Sequence, residues 1–143
     1  MINIKYTTIP LTKENIKLLE QIRYNAYQIN ISPINNNYTI QLKNNQYIVF
    51  GCFLNEKLVG ACYISNSYKS LYIEQLFILK EYQKSNHKLG SNLLRFILKN
   101  KKIIEKYYNS KFNISYLDST KELTTFYQSL GYKESNFLMR KRI

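Results

Sequence analysis

The alternation of apolar and polar residues divides the chain into strands and helices in an α/β order. A strand is predicted at Met1–Thr8, followed by a helix from Thr12 to about Gln28 in which apolar residues recur at helical spacing. The Thr12 hydroxyl is placed to accept a hydrogen bond from the first turn of this helix. Ile29–Gln41 contains a proline and three consecutive asparagines, so it is predicted as a loop with room for a short second helix.

Strand patterns dominate the centre of the chain. Gln46–Leu54 and Leu58–Asn66 are predicted as the two strands of a hairpin that turns at Asn55-Glu56-Lys57. Leu71–Leu79 carries apolar residues on both faces, which is typical of a strand buried in the middle of a sheet.

After the central strand, the pattern changes to a helical one and then back to strands. One long helix is predicted from Leu89 to near Tyr108, because its apolar stripe continues past Ile103-Ile104. A strand is predicted at Phe112–Tyr116, where apolar residues alternate with polar ones.

A short helix and two strands complete the predicted elements. Ser119-Thr120-Lys121-Glu122 has the sequence of a capping box, in which a hydroxyl accepts from an N–H group while the glutamate reaches back. Gly131 stands where the following helix needs a left-handed residue after its last turn. Tyr132–Glu134 and Phe137–Ile143 are predicted as the terminal pair of strands.

This order predicts one α/β (α+β) domain over residues 1–143. Its central sheet is expected to be mixed but mostly antiparallel, with about six to seven strands flanked by about four helices. The long helix after Leu79 makes its two flanking strands a parallel pair, through a right-handed crossover. Parallel neighbours that separate at one end open a cleft beside the helix N-terminus, where such sheets bind ligands.

A polar loop from Glu81 to Ser91 connects the central strand to the long helix. Backbone N–H groups at a helix N-terminus have no partner within the helix, and together with the helix dipole they bind phosphate well. The loop therefore indicates an enzyme that binds a phosphorylated carrier molecule.

Composition and charge restrict the class of protein further. The 143 residues suit one domain, and the hydrophobic fraction of 45% with a charged fraction of 21% is that of a soluble globular protein. Neither a membrane-spanning apolar run nor a signal peptide pattern is present, so a cytoplasmic protein is expected. The net charge of +12 suits an anionic partner, but scattered lysines are better explained by a biased genome than by nucleic-acid binding.

The cysteines and the histidine do not predict a metal site. Cys52 and Cys62 lie within predicted strands and are expected to be buried, reduced thiols. His87 is the only histidine, and these three residues lack the spacing of metal ligands.

Two segments resemble the GCN5-related N-acetyltransferase (GNAT) superfamily, and the order of elements is similar to that family over essentially the whole chain. The first segment runs from Leu76 to Gln83 and on into Leu89–Leu94, and the second is Phe126-Tyr127-Gln128-Ser129-Leu130-Gly131-Tyr132. The resemblance implies a GNAT-like fold and direct attack of a primary amine on the thioester of acetyl-CoA. It also implies an amine-bearing small molecule or protein as acceptor, and it is compatible with a homodimer.

The first segment departs from the family's phosphate loop, which usually reads Gln/Arg-x-x-Gly-x-Gly/Ala. Counting back from Gly90 puts Lys88 at the first glycine and Ser85 at the Gln/Arg position. Taking Gln83 for the Gln/Arg instead requires two extra loop residues, and this longer loop is favoured because Glu81-Tyr82-Gln83 is the customary lead-in. Glycine lets the backbone approach a diphosphate, and a lysine adopts that conformation less readily.

The resemblance implies an acetyl-CoA site with two main parts. The pantetheine arm is expected to pair with the main chain at the end of the central strand, and the pyrophosphate to rest on N–H groups of the loop. Lysines and the histidine of the loop are expected to add positive charge, while residues around the last helix contact the carrier. The predicted residues are Phe77, Ile78, Leu79, Gln83, Lys84, Ser85, Asn86, His87, Lys88, Leu89, Gly90, Ser91, Thr120 and Phe126. For Thr120, helix capping is an equal alternative.

Tyr127 matches the tyrosine that the family uses on its last helix to protonate the departing thiolate. The alternative is a purely structural aromatic, since Tyr127 lies on the same helical stripe as Leu123 and Leu130. A main-chain N–H near Phe77 or Ile78 is expected to polarise the thioester carbonyl.

Glu74 matches a position where some relatives place a general base that acts directly or through water. An ion pair with one of the many lysines is an equal alternative, and a water relay without a dedicated base remains open. Arg23 and Tyr27 are placed on the acceptor side by their position in the fold.

Two other functions remain open at this stage. A non-catalytic GNAT-like binding or regulatory module is favoured by the missing glycines and disfavoured by the intact context of Tyr127. An RNA-directed acetyltransferase, or an RNA-binding protein, is suggested by the charge alone.

Overall fold

The computed structural model describes residues 2–27, 37–83, 86–136 and 138–143. Several predictions therefore lie outside the described residues: those for Met1, Gln28, most of the loop that begins at Ile29, Lys84 and Ser85, and Phe137.

Within the described residues, seven strands form one sheet in the order β1-β2-β3-β4-β5-β7-β6. All neighbours are antiparallel except β4 and β5, which are parallel, so the predicted mixed sheet with one parallel pair is confirmed. The strands are β1 (Ile4–Thr8), β2 (Ile48–Leu54), β3 (Lys57–Ser65), β4 (Leu71–Ile78), β5 (Ile114–Leu117), β6 (Lys133–Ser135) and β7 (Leu138–Arg142).

The described α-helices are α1 (Lys13–Tyr27), α2 (Asn37–Lys43), α3 (Leu89–Lys99), α4 (Lys101–Tyr108) and α5 (Thr124–Ser129). Thr12 caps α1 as predicted, because its Oγ1 accepts from the Asn15 N–H at 3.2 Å. Helix α2 confirms the short second helix. No helix within the described ranges is both long enough and apolar enough to cross a membrane.

The single long helix predicted from Leu89 to Tyr108 is wrong, because the structure divides it into α3 and α4 at Asn100. Asn100 leaves the helical conformation, with φ −108° and ψ 28°. Its side-chain Nδ2 donates to the Phe96 carbonyl at 2.8 Å, and its main-chain N–H donates to the same carbonyl at 3.1 Å. The apolar stripe continues across the break, so the pattern alone did not reveal it.

The predicted capping box is also wrong. The Thr120 side chain makes no capping hydrogen bond, and the Ser119 hydroxyl donates to the Thr120 carbonyl at 2.8 Å. A 3-10 turn at Lys121–Leu123 precedes α5 and supplies backbone bonds in place of the box. At the other end of α5, Gly131 has φ 96°, which confirms the predicted left-handed residue.

The parallel pair is short, and this opens the sheet. Leu71–Ile73 of β4 pair with Ser115–Leu117 of β5, and beyond Ile73 the two strands are no longer paired. The register of β4 against β3 shifts at the same point, where Glu74 forms a β-bulge. From Glu74 to Ile78, one edge of β4 therefore faces an opening instead of a strand.

A buried polar network joins α1, α2 and β3. The Arg23 guanidinium donates to Glu20 through Nε at 2.9 Å and Nη2 at 3.3 Å, and the two residues are 4% and 2% exposed. Glu20 also accepts hydrogen bonds from the Tyr63 hydroxyl at 2.8 Å and from the Thr39 hydroxyl. The carboxylate is thus neutralised by the guanidinium and hydrogen-bonded to two other elements. The prediction that Arg23 lines the acceptor side gives way to this structural role.

Alkaline pH is expected to destabilise the fold. Burial raises the pKa of Tyr63, Tyr127 and Tyr132 well above the ordinary value of 10.0. Below that value both the folded and unfolded chains keep these protons. Above it only the unfolded chain loses them, so the free energy of unfolding should fall by about 1.4 kcal/mol per pH unit for each group.

Urea unfolding of the wild type between about pH 8 and about pH 11 measures this fall. A Tyr132→Phe variant, which removes one of the three groups, should show a shallower decline. A urea midpoint that does not change up to about pH 11 would contradict the assignment.

Candidate functional site

The open edge of β4 presents main-chain groups to the cleft. The Leu79 N–H donates to the Val59 carbonyl of β3 at 2.8 Å. Because main-chain groups alternate in direction along a strand, Phe77 also faces β3, whereas Leu76 and Ile78 face the opening. Of the three residues predicted for the carrier arm, Ile78 therefore offers its N–H to the cleft, and the Leu79 N–H is engaged within the sheet.

Two side chains already hydrogen-bond the carbonyls of this edge. The Tyr27 hydroxyl donates to the Leu76 carbonyl at 2.8 Å, and Gln83 Nε2 donates to the Ile78 carbonyl at 2.8 Å. Tyr27 thus contacts the open edge of β4, and its placement on the acceptor side stays a prediction. At Leu76 and Ile78 the N–H groups therefore point into the opening, and the carbonyl groups already accept hydrogen bonds from side chains.

The loop before α3 adopts the conformation that a glycine would favour, without a glycine. Lys88 precedes the first residue of α3 with φ 49° and ψ 50°, in the left-handed region. The Asn92 side chain donates to the His87 carbonyl at 3.0 Å and holds this turn against the helix. The N-terminus of α3 consequently begins at the end of the open strand, where its free N–H groups can receive an anion.

Gly90 brings three of the predicted carrier-binding residues together. A Cβ atom added at Gly90 would lie 3.8 Å from Ile78 Cγ1 and 3.8 Å from Phe126 Cζ. The first turn of α3, the end of β4 and helix α5 therefore meet at one place. Thr120, in contrast, is exposed.

Tyr127 lies on α5 with its side chain only 6% exposed. Its ring packs edge-on against Phe126 and Tyr132, with centroids 5.0 Å and 6.0 Å away. Its hydroxyl has no hydrogen-bond partner among the described residues. Burial raises the pKa of Tyr127, and the nearby Cys62 thiol and Tyr27 hydroxyl raise it further, so the phenol is protonated at neutral pH.

Cys62 pairs with Leu76 across the two strands, and Tyr27 donates to the Leu76 carbonyl. Both are electrostatic neighbours of Tyr127. Phe126, the residue before Tyr127, also meets Ile78 at Gly90, so this part of α5 lies beside the open edge of β4. This position combines a neutral phenol with main-chain N–H groups at the same cleft.

Glu74 occupies the bulge where the strands separate. Its Oε2 accepts hydrogen bonds from the Ser65 hydroxyl at 2.6 Å and the Ser67 hydroxyl at 3.3 Å. The alternative of an ion pair with lysine is not observed. Among the described residues one salt bridge is present, between Arg23 and Glu20, and it does not involve Glu74. Sequence reasoning missed both serines, since their side chains reach Glu74 from the neighbouring strand and turn.

The structure does not bring Glu74 and Tyr127 into one cluster. The Glu74 carboxylate acts electrostatically on Tyr47, Tyr72 and Tyr108, and it is not among the groups that shift the pKa of Tyr127. The two predicted catalytic residues therefore have different electrostatic neighbours. Among the described residues, no group of three or more histidine, cysteine or carboxylate side chains forms a metal cluster.

Replacing Lys88 with glycine is expected to stabilise the protein by up to about 1 kcal/mol. The reason is that the left-handed conformation of Lys88 costs a non-glycine residue about that much, whereas glycine adopts it freely. A Lys88→Ala variant is the matched control, because it removes the same charge but keeps the strained conformation. Urea unfolding of both variants measures the difference, and equal stability of Lys88→Gly and Lys88→Ala would contradict the left-handed assignment.

Three solved acetyltransferase structures have a similar fold, with TM-scores between 0.64 and 0.73. PaiA N-acetyltransferase from Thermoplasma acidophilum, in complex with coenzyme A, is 17% identical with a TM-score of 0.70, and the match covers 99% of both chains. The ribosomal-protein-S18-alanine N-acetyltransferase from Escherichia coli is 15% identical with a TM-score of 0.73, covering 99% of this chain and 94% of that one. An aminoglycoside acetyltransferase from an uncultured soil metagenomic sample, in complex with sisomicin, is 16% identical with a TM-score of 0.64, covering 89% and 86%.

These identities are low, so the likeness shows the fold and leaves the acceptor open. No curated protein is significantly similar in sequence. The sequence model of the acetyltransferase (GNAT) domain matches residues 19–141, which include the open strand, the loop before α3 and helix α5. The chain therefore belongs to the GNAT family of acetyltransferases.

Proposed function

We propose that the protein is an acetyl-CoA-dependent N-acetyltransferase, formed by residues 1–143 as one domain, that acetylates a primary amine by direct attack. The observation that carries the proposal is the Tyr127 side chain: it is buried and protonated, and its hydroxyl has no hydrogen-bond partner among the described residues and is free to face the cleft beside β4. The family membership supports the acyl-transfer chemistry. Bound acetyl-CoA would supply an activated acetyl group as a thioester.

The carrier would lie along β4 and end at the N-terminus of α3. The outward N–H groups of Leu76 and Ile78 would donate hydrogen bonds to carbonyl oxygens of the carrier arm. One of these bonds would polarise the thioester carbonyl. The diphosphate would lie against the turn from Asn86 to Ser91. The unpaired N–H groups of the first turn of α3 would donate hydrogen bonds to it, and the positive end of the helix dipole would stabilise its charge. Lys84 and Ser85 remain predicted contacts, and they lie outside the described residues.

Tyr127 would act as the general acid. As the amine nitrogen forms its bond to the acetyl carbon, the bond from that carbon to sulfur breaks, and the thiolate takes the proton of the Tyr127 hydroxyl. A phenol whose pKa is raised by burial stays protonated at working pH and is available for this transfer.

Glu74 would receive the proton that the attacking amine loses, directly or through water. Ser65 and Ser67 hold one of its carboxylate oxygens in place, and the other oxygen has no partner among the described residues. Glu74 would thus take a proton from the amine, and Tyr127 would give a separate proton to the thiolate.

Two measurements test the proposed function together. Acetyl-CoA at about 100 times its dissociation constant should stabilise the protein by roughly 2.7 kcal/mol, seen as a higher melting temperature. Release of free CoA from acetyl-CoA across a panel of primary amines should then identify an acceptor. A melting temperature that acetyl-CoA leaves unchanged would contradict the proposal, and stabilisation without CoA release from any amine would favour the non-catalytic binding module.

A further inference from the structure

A cavity of about 460 Å³ lies beside Glu74, between α2, the start of β2 and the turn that joins β3 to β4. The walls that matter here are formed by Gln41, Tyr47, Ser65, Ser67, Glu74 and Tyr108. Its volume is within the range of small-ligand sites in proteins. The cavity adjoins the point where β4 and β5 separate, because Glu74 belongs to both.

Glu74 brings an unneutralised negative charge to this cavity. The chain has 21 lysines and arginines against nine aspartates and glutamates, yet none of the described cations pairs with Glu74. Ser65 and Ser67 both donate to Oε2, which leaves Oε1 without a partner in the described part of the chain. A carboxylate held in this way, in so basic a protein, indicates a site that is completed by a cation from outside.

Gln41 adds a second acceptor without a donor. Its Oε1 is buried and has no hydrogen-bond partner among the described residues. A buried carbonyl oxygen that remains unpaired costs free energy, and native proteins satisfy almost all such atoms. A ligand that donates a hydrogen bond inside the cavity would remove this cost.

Tyr47 provides a third oxygen and an aromatic face. Its hydroxyl makes no hydrogen bond to another described residue, and burial, followed by the charge of Glu74, raises its pKa. Tyr108 lines the same cavity but already donates to the carbonyls of Gln46 and Ile64, at 2.8 Å and 3.0 Å. Aromatic rings beside a carboxylate favour a cation over a neutral or anionic group.

We infer that this cavity binds the acceptor as an aliphatic primary ammonium ion, through Glu74, Gln41 and Tyr47. An ammonium group has three N–H donors, and the cavity offers a carboxylate, an amide and a phenol oxygen to receive them. Glu74 then accepts one of the three protons, which leaves the neutral amine that attacks the thioester. The inference rests on the proposed function and names its acceptor class, with Gln41 and Tyr47 as the residues that determine specificity.

The test uses n-butylamine as the cation and n-butanol as its neutral counterpart, titrated into the full-length protein and followed by NMR. The wild type should bind butylamine and not butanol. Gln41→Met removes the oxygen at similar volume, so it should weaken butylamine binding about tenfold, the effect of one charge-assisted hydrogen bond. Gln21→Met, an exposed change of the same type on α1, should leave the affinity unchanged.

Equal binding of butylamine and butanol, or unchanged affinity in a Gln41→Met variant that melts as the wild type does, would overturn the inference. Should Gln41→Met unfold, a Tyr47→Phe variant, changed just before β2, tests the same cavity and should weaken butylamine binding as well.

The outcome separates this inference from the proposed function. CoA release with an amine whose KM is the same in wild type and Gln41→Met would sustain the transferase and reject the cavity. Specific butylamine binding without CoA release would sustain the cavity and reject the transferase.

Discussion

Replacing Tyr127 with phenylalanine is expected to lower kcat for CoA release by about 100-fold to 10,000-fold, which is the usual contribution of a positioned general acid. The replacement removes only the hydroxyl, so the packing of the ring on Phe126 and Tyr132 remains. The KM for acetyl-CoA should change little, because the proposed carrier contacts are main-chain groups and the start of α3, not the Tyr127 hydroxyl. Steady-state kinetics with the acceptor found in the amine panel provide the measurement.

Tyr132→Phe is the matched control for Tyr127→Phe. Tyr132 is buried beside Tyr127, and its hydroxyl shares a 2.7 Å hydrogen bond with Ser115 instead of facing the cleft. Its loss should cost about 1 kcal/mol of stability and leave kcat unchanged. If both tyrosine variants kept the wild-type kcat, Tyr127 would be a packing residue and the thiolate would leave without its help.

Replacing Glu20 with alanine is expected to destabilise the protein by about 3–5 kcal/mol. The Arg23 guanidinium is almost fully buried and would lose its counterion, and the hydroxyls of Tyr63 and Thr39 would lose their acceptor. Such a loss is a large share of the about 5–15 kcal/mol that stabilises a typical domain. The urea midpoint reports it directly.

Two further variants distinguish the buried charge from the helix that carries it. Lys17→Ala, exposed on the same helix, should change stability by no more than about 0.5 kcal/mol. Glu20→Met combined with Arg23→Met should recover much of the loss, because apolar residues need no counterion. A loss below about 1 kcal/mol for Glu20→Ala would mean that water reaches Arg23.

The order of elements and the cleft could be predicted from the sequence because local patterns specify them. The apolar runs of β2 to β4, the helical stripe of the crossover and Gly131 can each be recognised from nearby residues, and the parallel pair follows from the crossover. The break at Asn100 escaped prediction because the apolar stripe continues from α3 into α4 without interruption.

The surroundings of Glu74 could not be predicted for a different reason. Ser65, Gln41 and Tyr47 come from separate elements, and only the packing of α2 on the sheet brings them to one cavity. Sequence reasoning identified the carboxylate, whose position on the central strand matches the family, but had no signal for the groups that surround it. Non-local arrangements of this kind determine which acceptor a shared fold selects.

The satisfied carbonyls at Leu76 and Ile78 have a consequence for the behaviour of the free protein. A strand with one unpaired edge normally attracts an extended polypeptide, because the N–H and C=O groups of the two chains can pair in alternation. Tyr27 and Gln83 already occupy the acceptors on that border, so a passing peptide finds donors alone and gains only half of its bonds. The open edge of β4 therefore disfavours pairing with a strand of a second molecule, and it still offers N–H donors to a ligand that carries carbonyl oxygens.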